Sequence, residues 1–132
     1  MQIVLTYFPI LGAAEKVRLA LWLGGIALDD VHVPFAEWPN FKCQTPYGQI
    51  PVMSIDGGPY IAQSSAMLQY VGTLSPTLCP ADQFLAMQEA IGLVEDFERS
   101  WRPCVGLALE PEMLGYGIAP ATASFSPRAV LS

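Results

Sequence analysis

Residues 49–64 read QIPVMSIDGGPYIAQS, and the reading of this stretch decides the architecture. Val52–Ile55 is a short apolar run, Asp56-Gly57-Gly58 is turn chemistry, and Pro59–Ile61 resumes an extended pattern. Together they predict a β-hairpin. From Ser64 to Leu74 the pattern turns helical, with Ser64 placed as the N-terminal cap. The stretch is therefore the middle of a β-β-α unit.

Working back towards the start, Gln2–Thr6 alternates and is rich in β-branched residues, so it predicts a strand. Pro9 and Gly12 interrupt it. A helix follows from Ala13, with Glu15 where a negative charge suits the helix dipole, Val17 and Leu21 on its buried face, and Gly24-Gly25 at its end. Leu28–Pro34 is a second strand. Residues 35–49, FAEWPNFKCQTPYGQ, form an irregular segment long enough to be functional. The order β-α-β, irregular segment, β-β-α predicts a mixed sheet with helices on its faces.

Beyond the hairpin and its helix, Ser75–Ala81 holds two prolines and reads as a linker. Phe84, Met87, Ile91, Val94, Phe97 and Trp101 then recur at spacings of three and four, which predicts an amphipathic helix ending at Pro103. The stripe does not continue from Cys104 onward. The expected organisation is one domain over 1–75, a linker over 76–81, the opening helix of an incomplete helical domain over 82–103, and an irregular tail over 104–132.

Composition narrows the function. The chain has 132 residues, is 52% hydrophobic and carries a formal charge of -6, a balance that builds a core and argues against a nucleic-acid partner. The longest apolar stretch, Leu19–Leu28, is too short to span a bilayer, and MQIVLTYF lacks the basic start of a targeting signal. The expectation is a cytoplasmic protein with no membrane association. Cys43, Cys79 and Cys104 are far apart with no CxxC pair, so reduced thiols are expected and no metal site. His32, alone in a strand-like run, reads as structural.

Five segments in order resemble the cytosolic glutathione transferases of the tyrosine type, sigma-like and pi-like. They are Tyr7-Phe8 after the first strand, Glu37-Trp38-Pro39 with Lys42, Thr45–Val52 (TPYGQIPV), Gln63-Ser64, and Val94-Glu95-Asp96-Phe97. The resemblance implies an α/β thioredoxin-like N-terminal domain that binds glutathione, followed by the start of an all-helical C-terminal domain. It also implies no cofactor beyond glutathione as co-substrate, a small electrophilic or hydrophobic second substrate, and a homodimer.

Site roles follow from the resemblance and from the chemistry of each group. An ordinary thiol has a pKa near 8.5, and a donor aimed at the sulfur favours the thiolate. The resemblance gives that role to the Tyr7 hydroxyl; by itself Tyr7 reads as an aromatic closing a strand. The segment Gln49-Ile50-Pro51 would present the Ile50 backbone to the cysteinyl part of glutathione through a cis proline, while a trans proline opening an edge strand stays open from sequence. Gln63 and Ser64, at a helix N-terminus, suit the γ-glutamyl carboxylate, and plain capping is the alternative. Trp38 and Lys42 suit the glycyl carboxylate, with packing and solvation as their ordinary roles. Asp96 would reach the ligand amine of a partner subunit; otherwise Glu95, Asp96 and Glu98 form a solvated helix face.

Two departures stand out. Many relatives carry Arg-Gly-Arg where this chain has Leu11-Gly12-Ala13, and the helical domain is short. Three functions therefore compete: a transferase conjugating the glutathione thiolate to an electrophile, a non-catalytic glutathione-binding or interaction module, and a sigma-like prostanoid isomerase. A glutaredoxin-like oxidoreductase would need a cysteine near the first helix, and residues 5–16 contain none.

Overall fold

The computed structural model describes residues 1–108. Its sheet has four strands in the order β2-β1-β3-β4. They are β1 (Ile3–Tyr7), β2 (Asp29–His32), β3 (Val52–Ile55) and β4 (Ile61–Ala62). β1 runs parallel to β2 and antiparallel to β3, and β3 runs antiparallel to β4. Helices α1 (Glu15–Leu23) and α3 (Ser64–Leu74) pack against each other. This is the mixed sheet that the β-α-β and β-β-α order predicts, and the thioredoxin-like arrangement that the resemblance implies.

β1 is buried along nearly its whole length because it is central and covered on both faces. Ile3, Leu5 and Tyr7 alternate onto one face and join Val17 and Leu21 of α1 with Met67 and Val71 of α3 in a single apolar cluster. The edge strand β2 is exposed throughout and carries Asp29 and Asp30, charges that discourage edge-to-edge pairing.

The hairpin turn is tight for a specific reason. Asp56 and Gly57 both have positive φ, 50° and 72°, and the Gly58 N–H donates to the Ile55 carbonyl at 2.9 Å. Two left-handed central residues match the right-handed twist of the flanking strands. The second strand of the hairpin begins at Ile61, later than expected, since Pro59 has no N–H for the ladder.

α1 ends in a Schellman arrangement. The Ile26 N–H reaches the Leu21 carbonyl at 2.9 Å and the Gly25 N–H reaches the Trp22 carbonyl at 3.1 Å, with Gly25 at φ +64°. The irregular segment folds into short turns: Phe35–Glu37, then α2 (Trp38–Phe41), then Lys42–Gln44.

Two expectations need correction. Ser64 is not the cap of α3: Gln63 holds the N-cap position at φ 76° and ψ 100°, and no side-chain cap bond forms there. Ser64 is already helical because the turn out of β4 is made at Gln63. Pro103 does not end the long helix either, since α4 runs Phe84–Ala108 with Pro103 inside it. Proline removes one donor, and the helical bonds on either side carry the chain past it. The tail expected from residue 104 is thus helical through Ala108, and 109–132 lie outside the described residues.

The chain divides into two compact units, Met1–Ile91 and the part from Gly92 onward. In the second, Phe97 and Trp101 stack at 6.2 Å between ring centroids. Among the described residues no helix is long and apolar enough to cross a membrane, and no three His, Cys, Asp or Glu side chains are grouped to hold a metal.

A Cβ added at Gly25 would meet nothing within 4 Å, so the whole cost of Gly25→Ala is the left-handed backbone. Urea denaturation should find this variant less stable by about 1–2 kcal/mol. Gly25→Asn should lose less, because asparagine tolerates that conformation.

Candidate functional site

The ladders select one end of the sheet. Thr6 of β1 pairs with Val52 of β3, and Val52 pairs with Ala62 of β4. One residue further in the same direction lie Tyr7, Pro51 and Gln63. The register thus gathers at one sheet end three of the positions that sequence reading selected, with Ile50 and Ser64 beside them. The Ile50–Pro51 peptide bond is cis, which resolves the choice left open by the sequence.

Tyr7 is buried at 8% exposure. Its hydroxyl accepts a hydrogen bond from the Ala13 N–H at 3.2 Å. A phenol has both donor and acceptor capacity, and this bond occupies an acceptor position. Gly12 lies directly against the phenol: at φ +49°, a Cβ built on it would stand 2.6 Å from the Tyr7 hydroxyl oxygen. Glycine at this point lets the turn after β1 close over the hydroxyl.

An aromatic group fixes the irregular segment to the end of β1. Phe8 stacks on Phe35 with ring centroids 4.5 Å apart and meets Trp38 edge-on at 5.5 Å. Trp38 in turn lies 6.5 Å from Phe41. Trp38 is half-buried and packs against the core, so its ring is a structural member of this corner whatever its indole N–H binds. Lys42 is exposed, and its stem runs along Gly48, where an added Cβ would approach the Lys42 Cε at 3.1 Å. The Thr45 hydroxyl donates to the Lys42 carbonyl at 2.8 Å, tying the lysine turn to the approach to Gln49.

Asp96 lies in the second unit, where Arg99 donates to its carboxylate at 3.0 Å with both side chains largely exposed. His32 is also exposed, with Nε2 3.0 Å from Asp30 Oδ2, and the described cysteines are free thiols.

Residues 13–74 match the family model for the glutathione S-transferase N-terminal domain. This stretch belongs to the glutathione S-transferase N-terminal-domain family. The chain is 34% identical over 104 residues to glutathione S-transferase 1 of Ascaris suum, covering 78% of this chain and 50% of that protein. It is also 34% identical over 95 residues to the hematopoietic prostaglandin D synthase of Gallus gallus, covering 70% and 47%. Among solved structures, a monomeric glutathione S-transferase from the hookworm Necator americanus superposes with a TM-score of 0.76 at 27% identity, covering 98% of this chain and 58% of that one. The chain spans about half the length of the curated relatives it matches.

Sequence reading missed Gly12 as the floor beneath the Tyr7 hydroxyl and Gln63 as a left-handed N-cap. Gly12 was visible only as a strand breaker. Gln63 carried no local signal, because glutamine has no preference for positive φ.

Gly12→Ala should lose about 1–2 kcal/mol from backbone conformation and more from the clash with the phenol. Tyr7→Phe removes the nearest atom, so the double variant should be more stable than the two single losses predict when summed. Thermal and urea unfolding of the four proteins measure that coupling.

Proposed function

We propose that the chain binds glutathione at this sheet end and that Tyr7 stabilises its thiolate for attack on a small electrophile. The observation that carries the reading is the register bringing Tyr7, cis Ile50–Pro51 and Gln63-Ser64 together, supported by the family membership of residues 13–74. The Tyr7 hydroxyl donates to the sulfur while accepting from Ala13. Hydrogen bonding to the charged form lowers the thiol pKa and raises the fraction of nucleophile at neutral pH.

The remaining roles extend this reading. The Ile50 N–H and carbonyl, next to Gln49, pair with the cysteinyl backbone as an added strand would. The start of α3 turns its first N–H groups and positive dipole end to the γ-glutamyl carboxylate, with Gln63 and the Ser64 hydroxyl beside it. Lys42 and the Trp38 indole N–H take the glycyl carboxylate. Asp96 would bind the ligand amine across a homodimer, its carboxylate having acceptor capacity beyond the one oxygen that Arg99 contacts.

The wider assignments belong to the same proposal: a thioredoxin-like domain to residue 75, a linker over 76–81, a cytoplasmic location, and glutathione as co-substrate with no further cofactor. A second reading, isomerisation of prostanoids, has one specific support, the likeness to the Gallus gallus synthase. It differs in that an isomerase returns glutathione unchanged.

Retention on immobilised glutathione and conjugation to a dinitro-aryl halide test the proposal. Tyr7→Phe should keep glutathione binding and lose about 10- to 100-fold in conjugation rate, the equivalent of a lost charge-assisted hydrogen bond. Equal rates for the two proteins leave a binding module as the correct reading. Failure of the wild type to bind glutathione removes both.

A further inference from the structure

The chain lacks arginine at positions 11 and 13, yet a guanidinium stands over the Tyr7 ring. The Cζ of Arg18 lies 5.9 Å from the ring centroid, close enough for a cation–π contact. Arg18 is on α1, and its side chain is 14% exposed. Its Nε donates to Asp30 Oδ2 of β2 at 3.0 Å. Its Nη1 donates to the Ile10 carbonyl at 3.0 Å, to the Leu11 carbonyl at 3.4 Å and to Glu15 Oε2 at 3.3 Å. Nη2 is buried with no hydrogen-bond partner.

These contacts converge on one short stretch of chain. Ile10 and Leu11 immediately precede Gly12 and Ala13, whose N–H rests on the Tyr7 hydroxyl at 3.2 Å. One arm of the guanidinium, Nη1, therefore holds the carbonyls before the turn while Nε anchors the group on Asp30, and its charge sits beside the ring that the turn closes over. A lysine could supply the charge but not the forked geometry.

We infer that Arg18 is the positioning residue for Tyr7. It fixes the 10–13 turn that sets the Ala13 N–H on the phenol oxygen, and its guanidinium, held in place by Glu15 and Asp30, lies over the ring. Polarised from both sides, the hydroxyl becomes a stronger donor to the glutathione sulfur. This inference rests on the glutathione reading above. The charged groups facing the guanidinium are Glu15 and Asp30, with His32 beyond Asp30. None of them need touch the ligand.

The test is the pH midpoint of thiolate formation by bound glutathione, followed by thiolate ultraviolet absorbance on the full chain. Arg18→Met should raise the midpoint by about one unit, leaving about tenfold less thiolate at a fixed pH below both midpoints. Arg18→Lys, which keeps the charge and loses the fork, should raise it by less. In a Tyr7→Phe background Arg18→Lys should produce no further shift, because its effect passes through the phenol. A purely structural role would lower the melting temperature and leave the midpoint where it was.

If Arg18→Met does not fold, the Arg18→Lys pair decides. An unchanged midpoint in Arg18→Lys, or an equal shift with and without Tyr7, overturns the inference. A wild-type chain that binds glutathione without thiolate signal overturns the role given to Tyr7 and this inference with it. A clear wild-type signal with an unmoved variant overturns the Arg18 role alone.

Discussion

The pairing of β1 with β3 is the constraint on which the rest depends. Its register, Thr6 against Val52, sets which residues reach the candidate-site end of the sheet and which face each presents. A slip of one residue would turn Ile3, Leu5 and Tyr7 together to the opposite face. Such a slip is opposed by the burial of Ile3 and Leu5, at 1% and 0% exposure, against α1 and α3. It is opposed again at the far end, where the Gln2 N–H donates to Asp56 Oδ1 at 2.7 Å and the Asp56 N–H donates to the Gln2 carbonyl at 2.9 Å. The core and the hairpin turn thereby aim Tyr7. The placement of the phenol follows from hydrophobic burial two and four residues upstream.

What could be read from the chain was what local chemistry decides. The Asp56-Gly57-Gly58 turn, the Gly24-Gly25 stop and the span of α3 each rest on backbone preferences that a few residues express by themselves. The departures lie where tertiary geometry overrules those preferences. Ser64 is a better intrinsic cap than Gln63, yet the chain must reverse between β4 and α3, and the left-handed turn falls on Gln63. Pro103 is a good terminator in isolation, and α4 nevertheless runs through it. Tyr7, Trp38, Lys42 and the 49–51 segment were singled out through a family resemblance carried by their order along the chain, since no short-range pattern would mark a phenol for the proposed role. The cis bond at Pro51 was open in the sequence for the same reason, because both isomers are accessible to an X-Pro bond.

In the proposed reading Trp38 joins packing and ligand binding in one residue. Its ring meets Phe8 edge-on within an aromatic group that reaches Phe41 and, through it, Tyr60. Such contacts add roughly 0.5–1.5 kcal/mol per pair beyond burial, enough to hold the irregular segment against the end of β1. A side chain already fixed by packing loses little entropy when its N–H finds a carboxylate. Lys42 is the opposite case: it is exposed, and in the proposed role its long side chain loses rotamer freedom on engaging an anion. The irregular segment thus combines a rigid anchor with an adaptable charge, and the anchor is the part that the fold enforces.

The turn between β1 and α1 carries the same logic closest to the chemistry. It must bring an N–H onto the phenol, which requires a close backbone approach. Gly12 permits that approach through its positive φ and missing Cβ, but a glycine that permits a conformation does not enforce it. Enforcement has to come from neighbours, and the carbonyls of Ile10 and Leu11 are engaged by a single guanidinium whose other contacts lie on α1 and β2. The turn is therefore tied to the two elements flanking β1 on one side of the sheet. Loosening Asp30 at the exposed edge would be transmitted to the phenol by the side chain of Arg18, through contacts already made, without any movement of the core beneath it.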